Sequence, residues 1–254
     1  SFLTVSAGNH AAGVASAALK LKKNTIIVMP ETVPKAKIKN IRLLGGAYVT
    51  IVLHGDTFDD AKRYTETLSQ DNNYLFVPPY DDPTIMMGQG LVIKEICEQL
   101  GPKQTVQVAV PVGGGGLLSG SIQGAQGNPN IQFIGGELPC RKTKQGKLTQ
   151  SLTQNKNIAI QTPDAFAEGT AVQKLGDHPW KIIQENSHNI TPITVTKEEI
   201  KYVLSYLNEK EKMLIETSSV ISVAALLKQI LSKKSGIALP YIRLIDFLKT
   251  GASL

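Results

Sequence analysis

The chain has 254 residues, 42% of them hydrophobic and 19% charged, with a formal net charge of +6. That length can bury a sizeable core as one large domain or two unequal lobes, and no apolar run approaches the ~18 residues that would span a bilayer. Cys97 and Cys140 lie far apart without metal-ligand spacing, the lysines are not interleaved with aromatics, and nothing at Ser1 reads as a secretion signal; structural thiols in a cytoplasmic protein are expected, with no metal, membrane or nucleic acid as partner.

From the N-terminus, the apolar run Phe2–Val5 leads through Ser6-Ala7-Gly8-Asn9-His10 into a small-residue helix over Ala11–Leu21. Thr25–Met29, Ala47–Leu53, Val106–Val110 and Ile131–Ile134 read as buried strands, alternating with helices as in a mostly parallel α/β sheet. The helices are expected over Pro34–Leu44, with proline in the first turn, then Thr57–Ser69, and Gly88–Leu100 ended by Gly101-Pro102. On the second of these, Asp59, Asp60 and Arg63 share a polar face. Cys140–Thr162 reads as a connecting region with short elements. Lys197–Asn208, opened by a capping-box-like Thr196 and Glu199, and Ser218–Leu231 close the series.

Two turns carry the chemistry. In Val106–Leu118 a valine-rich strand runs into Gly113-Gly114-Gly115-Gly116 and then a helix starting near Leu117. Four backbone N–H groups without side chains, at a helix N-terminus, suit a phosphate; the alternative is a flexible or tightly packed turn. Neither a dinucleotide fingerprint nor a Walker lysine is present. Ser6–His10 is the second strand-to-helix turn, suited to a carboxylate. Ser6 or Asn9 could equally be the N-cap, and a lone His10 is more often a satisfied structural histidine than a catalyst.

In this order, Ser6–Ala15, Ile27–Pro34, Gly45-Gly46-Ala47, Val77–Pro83 (V-P-P-Y-D-D-P), Gly88-Gln89-Gly90, Val112–Leu117, Gly136-Glu137, Phe166–Val172 (F-A-E-G-T-A-V) and Leu214-Ile215-Glu216 resemble the threonine/serine dehydratases, closest to the biosynthetic-type threonine dehydratases. The resemblance implies a two-domain, tryptophan synthase β-like fold-type II architecture of mostly parallel sheets flanked by helices. It places a small α/β domain over residues 1–80 and a large, incomplete one over 81–254, with pyridoxal 5'-phosphate (PLP) as cofactor in the cleft between them. It also implies β-elimination of L-threonine, and of L-serine, to 2-oxobutanoate or pyruvate plus ammonia, by a homo-oligomer acting on a small amino acid.

By the same resemblance Gly113, Gly114, Gly115, Gly116 and Leu117 would hold the cofactor phosphate, and Asn9 the ring hydroxyl. Ser6, Ala7, Gly8, Asn9 and His10 would bind the substrate carboxylate, with Gly169 and Glu216 near ring and substrate. Ala7 stands where the similar serine racemases carry a second serine as proton donor, which favours elimination over racemisation. Two departures stand out. The family's S-F-K-x-R-G-A segment, whose lysine carries the cofactor, is not in this sequence, so no catalytic residue is identified. The late S-G-G-N-type turn is also replaced, by Ser235-Gly236-Ile237, leaving Ser235 as a weak candidate for the ring nitrogen. A non-catalytic relative that binds PLP or an amino acid is therefore the competing reading; a racemase or a β-replacement enzyme fits the motifs less well.

Overall fold

A computed structural model describes residues 1–100, 105–125, 128–140, 143–161 and 165–235. The chain divides into two compact units, Ser1–Pro79 and Tyr80–Leu254.

The first unit is a four-stranded parallel sheet in the order β3-β2-β1-β4, formed by β1 (Phe2–Val5), β2 (Thr25–Met29), β3 (Val49–Leu53) and the short β4 (Leu75–Phe76). β2 is apolar at successive positions because both of its faces are covered, as parallel sheets require. Ile27 and Met29 pack with Ala11 and Ala15 of α1 (Asn9–Leu21) and Ile38 and Ile41 of α2 (Lys35–Gly45). Val28 turns the other way, to Leu3, Val5 and Ala61 of α3 (Phe58–Asn72). Two expected boundaries move. Gly46–Tyr48 is a 3-10 turn, so the strand starts at Val49 and not at Ala47. Pro34 is the N-cap of α2 and not a residue of its first turn. On the polar face of α3 Arg63 pairs with Asp60, as the spacing predicts, and Asp60 also forms a reciprocal capping box with Thr57.

The second unit holds a parallel sheet in the order β5-β6-β7, from β5 (Val106–Pro111), β6 (Ile131–Glu137) and β7 (Ile190–Thr194). Ile131 and Phe133 of β6 face a cluster with Val110, Leu118, Leu148 and Ile183, while Ile134 joins Ile193, Ile200, Val220 and Ile221 on the opposite side. The helices are α4 (Pro83–Gln89), α5 (Leu91–Leu100), α6 (Gly116–Gly124), α7 (Lys147–Gln154), α8 (Asp177–Glu185), α9 (Lys197–Glu209) and α10 (Thr217–Ser235). The helix expected over Gly88–Leu100 is thus two helices, beginning at Pro83 because Asp82 caps Thr84 N and Ile85 N at 2.8 and 3.1 Å. Its expected terminator Gly101-Pro102 lies outside the described residues. A Cβ on Gly120 or Gly124 of α6 would lie 2.2 Å from Met86 O or 2.4 Å from Gly90 O, so these glycines let α6 close onto α4. The Thr196–Glu199 capping box forms, with Glu199 N donating to Thr196 Oγ1 and Thr196 N to Glu199 Oε2.

Among the described residues no helix is long and apolar enough to cross a membrane. No group of three or more His, Cys, Asp or Glu among them could hold a metal ion. Both cysteines are free thiols, Cys140 buried and Cys97 half-buried.

Candidate functional site

In the first unit, β1 ends at Val5 and the chain turns through Ser6–Gly8 into α1. Neither Ser6 nor Asn9 is the N-cap. That position falls to Gly8, which has no side-chain cap, because the Ser6 hydroxyl is turned back to accept from Gly8 N at 3.2 Å. Asn9 becomes the first helical residue. Ser6 is buried and Ala7 half-buried, while Gly8 and Asn9 are exposed. A Cβ built on Gly8 meets nothing within 4 Å, so the backbone above the start of α1 faces open space.

His10 points inward. Its Nε2 lies 3.0 Å from Thr4 Oγ1 and 3.1 Å from Val77 O, and Thr4 Oγ1 itself donates to Val77 O at 2.7 Å. A carbonyl only accepts, so Nε2 carries the hydrogen. Burial holds the imidazole below its ordinary pKa, against the opposing effect of the Val77 bond. His10 therefore ties β1 to the chain beyond β4 as a neutral group. Its side chain is occupied, and what it offers the turn is its backbone.

In the second unit, Val112 N continues the β5–β6 ladder to Gly136 O at 2.8 Å, and the tetraglycine follows. Gly115 is the N-cap of α6 at φ +91°, a conformation glycine adopts without a Cβ penalty. No side chain caps this helix, and the first N–H groups of any helix lack an intrahelical carbonyl. The turn is immobilised on every side. The position of a Cβ on Gly113 lies 3.0 Å from Gly169 O and 3.1 Å from Thr170 Cα; on Gly114, 2.3 Å from the Tyr80 ring; on Gly115, 3.0 Å from Pro179 Cβ; on Gly116, 2.9 Å from Tyr80 Cβ. Gly114 O accepts from Gly176 N at 2.9 Å. The tetraglycine is thus a tightly packed turn, and among the described residues it is the Gly114 carbonyl that takes part in the bond to Gly176. Of the two alternatives on the sequence, a tightly packed turn or an anion site, the close approaches at Gly113–Gly116 show the packing.

The residues around this turn explain the Y-D-D-P run. Tyr80 supplies the ring against Gly114 and Gly116, and burial followed by the charge of Asp81 raises its phenol pKa, keeping it neutral. Asp81 caps α8 from 96 residues away, accepting from Asp177 N at 3.0 Å and His178 N at 2.9 Å. Asp82 caps α4, and Pro83 occupies its first turn.

Gly169 belongs to a 3-10 segment, Ala165–Thr170, fastened to the start of α10: Gly169 N donates to Ser218 Oγ at 3.0 Å and Thr217 Oγ1 to Phe166 O at 3.2 Å. Glu216, immediately before α10, is exposed, and its carbonyl accepts from Ser219 N and Val220 N. The structure thus brings Gly113, Gly169 and the residues adjoining Glu216 together. Ser235 is the last residue of α10, so its backbone is helical and not a turn after a strand; its side chain, and residues 236–254, lie outside the described residues.

Sequence reasoning missed the burial of Glu137 and Lys147. The Glu137 carboxylate accepts from Leu148 N (2.7 Å), Thr149 N (2.8 Å) and Thr149 Oγ1 (2.6 Å), capping α7 from the end of β6. Burial pushes its carboxyl up against these donors and Lys147, and burial lowers the Lys147 amine. Only Gly136-Glu137 at the strand end could have flagged it; a lysine in a polar run gives no sign of burial.

The family model of pyridoxal-phosphate dependent enzymes matches residues 1–239. A threonine dehydratase of Nicotiana attenuata is 35% identical over 223 residues, 87% of this chain and 35% of that protein. L-threo-3-hydroxyaspartate ammonia-lyase of Saccharomyces cerevisiae is 33% identical over 241 residues, 93% of this chain and 71% of that one. Among solved structures, the processed form of threonine deaminase isoform 2 from Solanum lycopersicum is similar with a TM-score of 0.79 at 35% identity, covering 88% of this chain and 59% of that one. Serine racemase from Dictyostelium discoideum gives 0.78 at 30% identity, covering 93% and 72%. The chain spans 35% and 36% of the length of two plant threonine dehydratases that it matches.

Proposed function

We propose, for a chain that belongs to the pyridoxal-phosphate dependent enzymes, that it supplies the phosphate-binding and substrate-carboxylate turns of an L-threonine deaminase that also takes L-serine. The products are 2-oxobutanoate or pyruvate, and ammonia. The observation that carries this reading is the tetraglycine turn, packed rigidly and left without a side-chain cap at the N-terminus of α6. Successive N–H groups at a positive helix end are the donor set a phosphate dianion needs, so the residues present fit PLP at that end.

Gly113–Gly116 and Leu117 would hold the phosphate. Asn9, exposed at the start of α1, would bond the ring hydroxyl, and the Ser6–His10 backbone would take the substrate carboxylate where Gly8 leaves open space. Ala7 offers a methyl group and no proton donor, which supports elimination over racemisation. Gly169 and Glu216 would border the substrate. When bound, PLP supplies the electron sink for loss of the substrate α-proton; these residues position and orient. No residue here is assigned to remove that proton, because the S-F-K-x-R-G-A segment does not occur in the sequence.

A second reading is that the chain binds PLP or an amino acid without turnover. One experiment separates them. PLP is titrated against the protein with inorganic phosphate as competitor, the complex is reduced with borohydride and any phosphopyridoxyl-lysine mapped, and threonine is supplied to detect 2-oxobutanoate. Saturable, phosphate-competed binding is expected in both readings, and its absence overturns both. Keto-acid formation selects the first, and binding without it the second.

A further inference from the structure

Lys147 is the first residue of α7, yet it is only 4% exposed. A cation there opposes the positive end of the helix, and a lysine stripped of water is costly unless paired. The Glu137 carboxylate caps the same helix end, accepting from Leu148 N and Thr149 N, and its charge opposes the effect of burial on the Lys147 amine. Among the described residues the amine has one hydrogen-bond partner: Nζ donates to Thr170 O at 3.4 Å.

Thr170 belongs to the segment on which the phosphate turn rests, since Gly169 O and Thr170 Cα stand at 3.0 and 3.1 Å from a Cβ on Gly113. α10 holds this segment on one side through Ser218 Oγ and Gly169 N. Lys147 holds it on the other, as a second donor to a carbonyl that already accepts from Val172 N at 2.8 Å. Removing the ammonium would leave the Thr170 segment anchored from α10 alone.

We propose that Lys147 is a positioning residue for the phosphate turn: by pinning the Thr170 carbonyl to α7 it fixes the wall behind Gly113, and with it the direction of the glycine N–H groups. The inference rests on the reading of Gly113–Gly116 as the phosphate holder.

The test compares the dissociation constants of PLP and of pyridoxal, which lacks the phosphate, across wild type, Lys147→Met and Lys147→Arg. Lys147→Met is expected to weaken PLP about tenfold, equivalent to about 1.4 kcal/mol, while pyridoxal binding changes little. Lys147→Arg, which keeps charge and donors, should recover part of that loss. General loosening of the fold would weaken both ligands alike, so the ratio of the two constants is what reports positioning. Should Lys147→Met fail to fold, Glu137→Gln/Lys147→Met removes both charges together and allows the same comparison. An unchanged ratio with intact wild-type binding overturns the inference alone. A borohydride adduct mapped to Lys147 also overturns it, because the amine would then react with the ligand. Failure of the wild type to bind PLP overturns the phosphate reading and this inference with it.

Discussion

A methyl group added to Gly8 enters open space, whereas one added to Gly114 lands 2.3 Å from the Tyr80 ring. The two turns therefore use glycine for different reasons. At Gly8 the fold makes no demand on it, and a bare backbone serves whatever approaches α1; at Gly114 the fold itself requires it. Gly8→Ala should leave unfolding free energy within about 0.5 kcal/mol of wild type while weakening amino-acid binding. Gly114→Ala should lower stability by about 1–3 kcal/mol, the usual cost of overpacking. Urea unfolding of the two variants checks the contrast. His10 yields a prediction with a definite sign. Its folded pKa lies below the ordinary 6.5, so the unfolded chain binds the proton more readily, and the stabilisation present above that value is lost as pH falls through the lowered one. The thermal midpoint should therefore drop on acidification below about pH 6.5. His10→Gln should flatten that dependence, and an equally steep dependence in the variant would assign it to other groups.

At the scale of elements, the Asp81 cap of α8 is a long-range device that a single substitution exposes. Asp81→Ala leaves Asp177 N and His178 N without their acceptor and should cost about 0.5–2 kcal/mol, as lost N-caps do. Asp81→Asn, which retains an acceptor, should cost less; equal losses in the two variants would show that the charge matters more than the bond. No sequence pattern announces a cap from a residue 96 positions distant, which is why Y-D-D-P could be recognised as a motif but not explained. Other elements were legible. β2 stands out because both faces of a parallel strand are apolar, β5 by its run of valines, and α9 announces itself with Thr196 and Glu199. β7 was hidden by Pro192, which argues against a central strand; it fits because β7 lies at the edge of its sheet. α8, opening Asp177-His178-Pro179, looks like a loop until Asp81 supplies its acceptor. The two site turns were legible as turns, since a strand, glycines and a helix follow one another directly. The rigidity of the tetraglycine was not, because Tyr80, Gly169 and Pro179 reach it from three other segments.

For the whole molecule, each unit has its own core. Ile27 lies fully buried among Ala11, Met29 and Ile41 in the first, and Phe133 among Val110, Leu118 and Ile183 in the second. Ile27→Ala should cost about 2–5 kcal/mol, and separate cores predict that this loss falls on the first unit. Amide hydrogen exchange should quicken across residues 1–79 while β6 amides keep most of their protection; an equal loss in both would mean that the chain opens as one cooperative block. Ligand binding offers the reciprocal test. The turn proposed to hold the phosphate belongs to the second unit, and a ligand that binds only the folded form adds about 2.7 kcal/mol at a hundredfold excess over its dissociation constant. PLP should therefore slow exchange first in β5, α6 and the 165–170 segment, and should do so in Ile27→Ala as well as in wild type. Protection confined to the first unit would contradict the phosphate assignment. Protection lost in Ile27→Ala would instead show that the second unit holds its turn only when the first is intact.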